Sequence, residues 1–308
     1  MYKVFIDGSA GTTGLKIVER LSERKDLSLV ILPEELRKDV NARKDAINSC
    51  DVAFLCLPDT AAIEAVSLIE NDKVKVIDTS TAHRTNIDWA YGFAELKGKR
   101  ELIKNSKRIA NPGCHASGFI ALIAPLIEAG VLDKNINLSC FSITGYSGGG
   151  KKMIAEYEDQ NRSILLDAPR QYGLAQTHKH LPEMKAICGI TNAPVFCPIV
   201  SDYDRGMQVS VPLFGSDAKV GLEKIKEIYK NSYNGKIVKF VDADEGGFIS
   251  AINMRGRDDM QISVFGNDER MVLVSRFDNL GKGASGAAIQ NMNIILGVDE
   301  TTGLTIGE

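Results

Sequence analysis

Two groups of residues in this chain have the types and spacing that chemistry needs. The first centres on a cysteine in Ala110-Asn111-Pro112-Gly113-Cys114-His115-Ala116-Ser117-Gly118, which leads into the apolar helical pattern FIALIAPLIEAG. The pattern predicts Cys114 in the first turn of a helix. There, free N–H groups and the positive end of the helix dipole lower a thiol's pKa and make the sulfur a nucleophile at neutral pH. The plain alternative, a buried structural thiol, suits Cys50, Cys56, Cys140, Cys188 and Cys197 better, because they lie in strand or ordinary helical patterns. The six cysteines form no C-x-x-C pair and have no histidine at ligand spacing, so neither a disulfide framework nor a metal site is expected.

A thiolate needs an acid or base beside it, and the chain has only four histidines. His178 and His180 stand in QTHKHLPE with Glu183 three residues beyond the second. Metal ligation would need a third group that the sequence does not offer, and a polar loop before a helix is the ordinary reading. The functional reading has one imidazole exchanging protons with a substrate oxygen while Glu183 orients it. His115 reads as a helix-start residue facing away. His83 stands beside Arg84, a side chain able to pair with a phosphate or carboxylate or to form a surface salt bridge.

The second group is Gly8-Ser9-Ala10-Gly11-Thr12-Thr13-Gly14, directly after the β-rich KVFID and running into a helical pattern. A tight turn without Cβ atoms lets a pyrophosphate approach, and the helix N-terminus supplies N–H donors to bind it. The spacing is G-x-x-G-x-x-G rather than G-x-G-x-x-G, but its place between a first strand and a first helix supports dinucleotide binding over a bare turn. After the second strand, Glu34 and Glu35 would suit a ribose diol, and Arg37 and Lys38 a 2′-phosphate. The basic pair points to NADP(H). A nucleophilic thiol working with a nicotinamide suggests interconversion of an acyl group and an aldehyde through a thioester.

These groups must be positioned by a fold. At 308 residues the chain exceeds one ordinary core and predicts about two domains of ~150 residues. Composition is that of a globular protein, 44% apolar and 25% charged, and 37 basic against 40 acidic residues give no electrostatic case for nucleic acid or an anionic membrane as partner. The N-terminus lacks a basic-then-apolar leader and no stretch approaches ~18 apolar residues, so a cytoplasmic enzyme of small molecules is expected.

The first hundred residues alternate strands (3–7, 27–32, 52–57, 74–78) with helices (12–24 with Leu15, Val18 and Leu21 on one face, and one opened by Pro58 carrying Ile63, Val66 and Ile69). That alternation predicts a parallel α/β sheet. The remainder reads as mixed α+β: a long helix from 113 to 129, a strand at 138–144, strands 193–200 and 207–213 joined by SDYDRG, a QISVFG/RMVLVSRF hairpin, a covering helix at 217–231, and a last helix from 285 to 296.

FIDGSAGTTGLKI, DTSTAHR, ANPGCHASGFIALIAPL, GYSGGGKKMI, QTHKHLPEM and KGASGAAIQNMNIILG, in this order over nearly the whole chain, resemble the short-form N-acetyl-γ-glutamyl-phosphate reductases of arginine biosynthesis. The resemblance implies a Rossmann-type NADP-binding domain, residues 1–113 plus 284–308, into which the last helix returns. Residues 114–283 would form an α+β domain of the glyceraldehyde-phosphate-dehydrogenase type with a mixed or antiparallel sheet, serving substrate binding and self-association as a dimer or tetramer. It implies Cys114 as nucleophile, His178 as acid/base, and Arg84, Asn111, His180 and Ser147 as substrate contacts. Gln290 and Asn291 would return to the nicotinamide side. The implied reaction reduces N-acetyl-L-glutamyl 5-phosphate to the semialdehyde plus phosphate. The rivals are the same chemistry on aspartyl or aminoadipyl phosphate, and a nucleotide-binding sensor without catalysis.

Overall fold

The computed structural model describes residues 1–307 and divides the chain into two units. The first comprises residues 1–94, 98–112 and 284–304. Its elements are β1 (Tyr2–Asp7), α1 (Thr12–Leu21), β2 (Leu27–Val30), α2 (Val40–Asn48), β3 (Val52–Leu55), α3 (Asp59–Ser67), β4 (Lys75–Asp78), β5 (Ala90–Tyr91), α4 (Lys99–Asn105) and β6 (Arg108–Ala110), with the C-terminal helix Gly286–Leu296. The six strands are all parallel, in the order β2-β1-β3-β4-β6-β5.

Both faces of a parallel sheet must be covered, and the strand residues alternate accordingly. Val4, Ile6, Phe54, Ile77 and Ile109 face Ile17 and Leu21 of α1 and Ala288, Ile289 and Met292 of the C-terminal helix. Phe5, Ala53, Leu55 and Val76 face Ala46 and Ile47 of α2, Ala62 and Ala65 of α3, and Trp89. Fully burying one such aliphatic side chain contributes roughly 1.5–3 kcal/mol, so the C-terminal helix is a structural member of this unit.

The two expected helix faces hold in part. In α1, Leu21 is buried and Val18 packs on the core beside Gly14 and Ile17 while Leu15 is exposed, and in α3, Val66 and Ile69 pack on the core beside buried Ala62 and Ala65 while Ile63 is exposed. Alanine and glycine let these helices approach the sheet closely, which a count of large apolar residues does not reveal. Helix α2, which the sequence reading passed over, is capped by Asp39, whose carboxylate accepts from the Ala42 N–H at 2.7 Å.

The second unit comprises residues 95–97, 113–283 and the tail from Thr305. It differs from the expected domain in three respects: it takes Gly113, the 95–97 segment and the tail, where the Thr305 N–H donates to Asp258 Oδ2 at 2.8 Å. Its elements are α5 (Cys114–Glu128), β7 (Ser139–Gly145), α6 (Gly150–Glu158), β8 (Arg170–Gln171), α7 (Leu181–Cys188), β9 (Val195–Ser201), β10 (Met207–Phe214), α8 (Leu222–Ser232), β11 (Val238–Phe240), β12 (Met260–Gly266) and β13 (Arg270–Phe277); the C-terminal helix of the first unit is then α9.

The seven-stranded sheet runs β11-β12-β13-β10-β7-β9-β8. β12 and β13 form the expected hairpin, with Gly266 opposite Met271. β9 and β10 do not pair with each other. Instead, β7 lies between them, parallel to β9 and antiparallel to β10, so SDYDRG is a crossover and not a hairpin turn. The inward face carries Val209, Val211, Leu273, Ile262 and Val264, all buried, and α5 packs against β10 and β13. On the other face the register aligns Phe141, Cys197 and Ser210, and next to them Pro212 and Val272; Phe141, Val272 and the nearby Phe214 are exposed.

α5 contains Pro125, which cannot donate to the carbonyl of Ala121. The Tyr233 hydroxyl donates to that carbonyl at 2.8 Å, and the Tyr229 hydroxyl donates to the neighbouring Leu122 carbonyl. α8 and its C-terminal cap Tyr233 therefore repair the break in the helix that carries Cys114.

Candidate active site

In the first unit the glycine turn follows β1, where the strand order switches from β2 on one side to β3 on the other; such a switch leaves a crevice at the strand ends. Gly8 has φ +82, and a Cβ there would lie 2.2 Å from the Cys56 carbonyl oxygen just past β3. A Cβ at Gly14 would lie 2.3 Å from the Gly8 oxygen. Both positions demand glycine, whereas Gly11 has no neighbour within 3.4 Å and serves to start α1. The Gly11 N–H donates to Gly8 O at 3.0 Å, closing the turn and directing the first N–H groups of α1, from Thr12, Thr13 and Gly14, along the helix axis. Ser9 is buried within the turn and Ala10 half-buried. Bare backbone plus a helix N-terminus fits a dinucleotide pyrophosphate.

Below the turn, Arg43 Nε donates to Asp7 Oδ2 at 3.0 Å, and both side chains are buried. Burial nonetheless raises the Asp7 carboxyl above its ordinary value, with the Arg43 guanidinium opposing the shift. Arg37 and Lys38 lie exposed after β2, with Arg37 Nε donating to the Leu32 carbonyl at 3.4 Å.

Several residues expected at the ligand are built into the first unit. Asn291 donates to the carbonyl of Gly92 at 2.9 Å and to Asn111 Oδ1 at 3.2 Å, and Asn111 Nδ2 donates to the Ala284 carbonyl at 3.0 Å. Asn111 and Asn291 thus tie the end of β6 to α9. Gln290 is buried and donates to Glu300 Oε2, which also receives Arg100. Arg84 is buried and donates to the backbone carbonyls of Asn111 at 2.9 Å and Thr79 at 3.0 Å, so it braces this segment. His83 bonds Asp78 at 2.6 Å and stacks on Trp89.

The second unit carries the thiol. Cys114 is the first residue of the 15-residue α5, with Gly113 as its cap. The Gly113 N–H donates to Glu183 Oε1 at 2.8 Å, from the first turn of α7. That bond ties the entry of α5 to α7 one residue before the nucleophile.

Around this entry stands a cluster of rings. The His178 and His180 ring centres are 4.7 Å apart, His115 and His178 5.8 Å, and His115 and His180 5.6 Å. His115 corrects the expectation that it faces away: its Nδ1 shares a hydrogen bond with Ser142 Oγ at 2.6 Å and its Nε2 with the Tyr172 hydroxyl at 2.7 Å. Burial, with the nearby His178 second, pushes His115 down to about 3, so the ring is neutral at physiological pH. His178 is also lowered, by burial and then by Lys179, and its Nδ1 accepts from the His180 backbone N–H at 3.2 Å. In the neutral ring the proton therefore sits on Nε2. Burial and then the Cys114 charge raise the Tyr172 phenol, which ties this cluster electrostatically to the sulfur. Elsewhere in this unit the Ser147 hydroxyl accepts from Asn279 Nδ2 at 3.0 Å.

Four other thiols are of another kind. Burial pushes Cys50 up to about 11 and Cys56 up to about 12, and raises Cys140 and Cys188 as well. Such thiols stay protonated and inert.

Residues 3–106 match the family model described as semialdehyde dehydrogenase, NAD binding domain, and residues 114–279 match semialdehyde dehydrogenase, dimerisation domain. The chain belongs to the semialdehyde dehydrogenase family. Within the family, this dehydrogenase is 44% identical to N-acetyl-gamma-glutamyl-phosphate reductase 2 of Nostoc sp. strain PCC 7120 over 98% of this chain and 99% of that one. It is 45% identical to N-acetyl-gamma-glutamyl-phosphate reductase of Brucella ovis over 96% of this chain and 99% of that one. Among solved structures, aspartate semialdehyde dehydrogenase II of Vibrio cholerae, complexed with ASA, superposes with a TM-score of 0.72 at 15% identity, covering 96% of this chain and 98% of that one. The Candida albicans aspartate semialdehyde dehydrogenase with NADP superposes at 0.68 with 13% identity, covering 95% and 98%. Likeness at that identity shows the fold alone.

The sequence reading missed Tyr172, Ser142 and the inward direction of His115. One signal was available: His115 is a polar ring opening an otherwise apolar helix, and a buried ring nitrogen requires a partner. The partners come from β7 and from the residue after β8, and nothing in the local sequence announces them.

Proposed function

We propose that this semialdehyde dehydrogenase reduces N-acetyl-L-glutamyl 5-phosphate to N-acetyl-L-glutamate 5-semialdehyde and phosphate, with Cys114 as the nucleophile and NADPH as reductant. The observation that carries the mechanism is Cys114 at the start of α5, next to the cluster of rings that His115, Tyr172, His178 and His180 form. Near-identical length and 44–45% identity to reductases of that name support this substrate over aspartyl phosphate, to whose enzymes the chain is alike only in fold.

The residues act as follows. Proton transfer from the thiol to the half-buried His178, whose Nδ1 gives up its bond to the His180 N–H to take it, gives a thiolate–imidazolium pair, with the dipole of α5 favouring the anion. Sγ attacks the acyl carbon, the C–O bond to phosphate breaks, and the departing phosphate takes its proton from water. The first-turn N–H groups of α5 stabilise the oxyanion. Gly8–Gly14 would hold NADPH, with Arg37 and Lys38 on its 2′-phosphate, and the bound cofactor would supply the hydride for the thioester on Cys114. His178 Nε2 gives its proton to the new alkoxide, then takes it back as the C–S bond breaks, which returns the thiolate and the aldehyde. His180, Ser147 and the positive charge of Arg84 are assigned to substrate binding.

The exposed apolar face around Phe141, Pro212, Phe214 and Val272 is the surface we assign to self-association, in accord with the dimerisation-domain match. The deciding experiment is phosphate-dependent oxidation of N-acetylglutamate semialdehyde with NADP, compared with NAD and with aspartate semialdehyde. Turnover with the acetylated substrate and NADP, abolished in Cys114→Ala, is the expected result; undiminished turnover by Cys114→Ala would remove the covalent route.

A further inference from the structure

Behind the nucleophile lies an ion pair that the reaction does not require. Lys282 is among the largest fully buried side chains, and its Nζ donates to both carboxylate oxygens of Glu95, at 2.8 and 3.0 Å. The Glu95 side chain is buried too. Removing two charges from water costs several kcal/mol per ion, and well-packed apolar residues of the same volume often serve stability equally well. The use of such a pair is therefore to be sought in what it fixes.

What it fixes is the turn that follows β13. Asp278 anchors the start of that turn: its Oδ1 accepts the N–H groups of Leu280 at 2.7 Å and Gly281 at 3.1 Å, and its Oδ2 accepts that of Gly256 at 2.6 Å. Its carbonyl accepts the Gly283 N–H at 3.0 Å. The next anchor is Lys282 on Glu95. Gly283, one residue on, presses against the nucleophile: a Cβ there would lie 3.0 Å from the Cβ of Cys114 and 3.2 Å from Phe277 Cε2. The turn is thus held at both ends of a three-residue span, and its backbone forms one wall of the space in which the Cys114 side chain stands.

We infer that Lys282 and Glu95 are positioning residues for Cys114: their buried pair holds Gly283 against the nucleophile and so fixes the rotamer from which Sγ attacks. The inference rests on Cys114 being the nucleophile. A shift of about 1 Å in a reacting group costs on the order of a hundredfold in rate. Because the pair acts through the attacking sulfur, the effect falls on kcat.

Two variants test it. The double variant Lys282→Met with Glu95→Leu removes both charges together, which leaves no unpaired ion in the interior. Gly283→Ala keeps the pair and adds the methyl group against Cys114. For each, thermal unfolding, kcat and KM in the phosphate-dependent assay, and the pH profile of iodoacetamide labelling at Cys114 are measured beside wild type. The expected result is folded protein with kcat lowered about a hundredfold, KM changed less than about threefold, and a displaced labelling profile. Folded variants with wild-type kcat and an unchanged labelling profile overturn the inference while leaving the nucleophile assignment intact. A wild-type protein whose Cys114 resists labelling overturns that assignment, and the inference with it.

Discussion

The neutral His115 ring makes acid sensitivity of the second unit calculable. The perturbation is a fall in pH from 7.5 to 5 in wild type and in His115→Gln, whose amide keeps a donor and an acceptor between Ser142 and Tyr172 but does not titrate. In the unfolded chain the imidazole binds its proton near 6.5, and in the folded chain near 3. A base whose folded value is depressed binds fewer protons folded than unfolded through that interval. The stability it confers is therefore complete above about 6.5 and is lost as pH falls toward 3. Working the two proton-binding equilibria through, wild type loses about 2 kcal/mol at pH 5 relative to pH 7.5 from this one ring. For a unit of this size that is a drop in Tm of about 4–8 °C beyond whatever other groups contribute. His178 is shifted in the same direction, but it is present in both proteins and cancels in the comparison. The assay is thermal and urea unfolding followed by circular dichroism at both pH values. Wild type and His115→Gln losing equal stability between pH 7.5 and 5 would refute the reasoning, because the buried ring would then be binding its proton without penalty.

Three further outcomes follow from the geometry. Gly8→Ala, with its methyl group forced to within 2.2 Å of the Cys56 carbonyl at a positive φ, should weaken NADPH binding at least tenfold and cost about 1–3 kcal/mol of stability; fluorescence titration and calorimetry measure both. Arg37→Ala with Lys38→Ala should reduce the preference for NADP over NAD by about tenfold or more without changing kcat for NAD, read from kcat/KM for each cofactor. Phe141→Asp with Phe214→Asp, both on the outer face of the second sheet, should lower the mass measured by light scattering to that of one chain; an unchanged mass would place self-association elsewhere.

The sequence was most informative where the chemistry is local. A glycine turn between a strand and a helix, and a cysteine after Pro112-Gly113, are short-range patterns whose physical requirement is met by adjacent residues. Strands with unbroken β-branched runs were legible for the same reason. SDYDRG joins two strands that are antiparallel, as their patterns predict, but the pairing is set by β7, which lies between them. Glu183 shows the limit at the site: the fold brings it to the Gly113 N–H, seventy residues away in sequence, a partner that no local pattern announces. The faces of α1 and α3 are legible in Val18, Leu21, Val66 and Ile69, whereas Gly14, Ala62 and Ala65 are not, because close packing uses glycine and alanine, which carry little apolar weight of their own.

The route of the chain has a consequence for its synthesis. The glycine turn leaves the ribosome long before Ala288, Ile289 and Met292, which complete the core beneath it. The second unit is nearly continuous from Gly113 to Gly283, so it can close while the first still lacks a covering helix. At ~5–20 residues per second, the wait between Pro112 and the end of α9 is on the order of ten to forty seconds. Throughout that interval one face of the parallel sheet is open to whatever apolar surface is near. A nascent chain of this enzyme is therefore most exposed to misassembly at the part that binds nucleotide, and its nucleophile is housed before its cofactor can be.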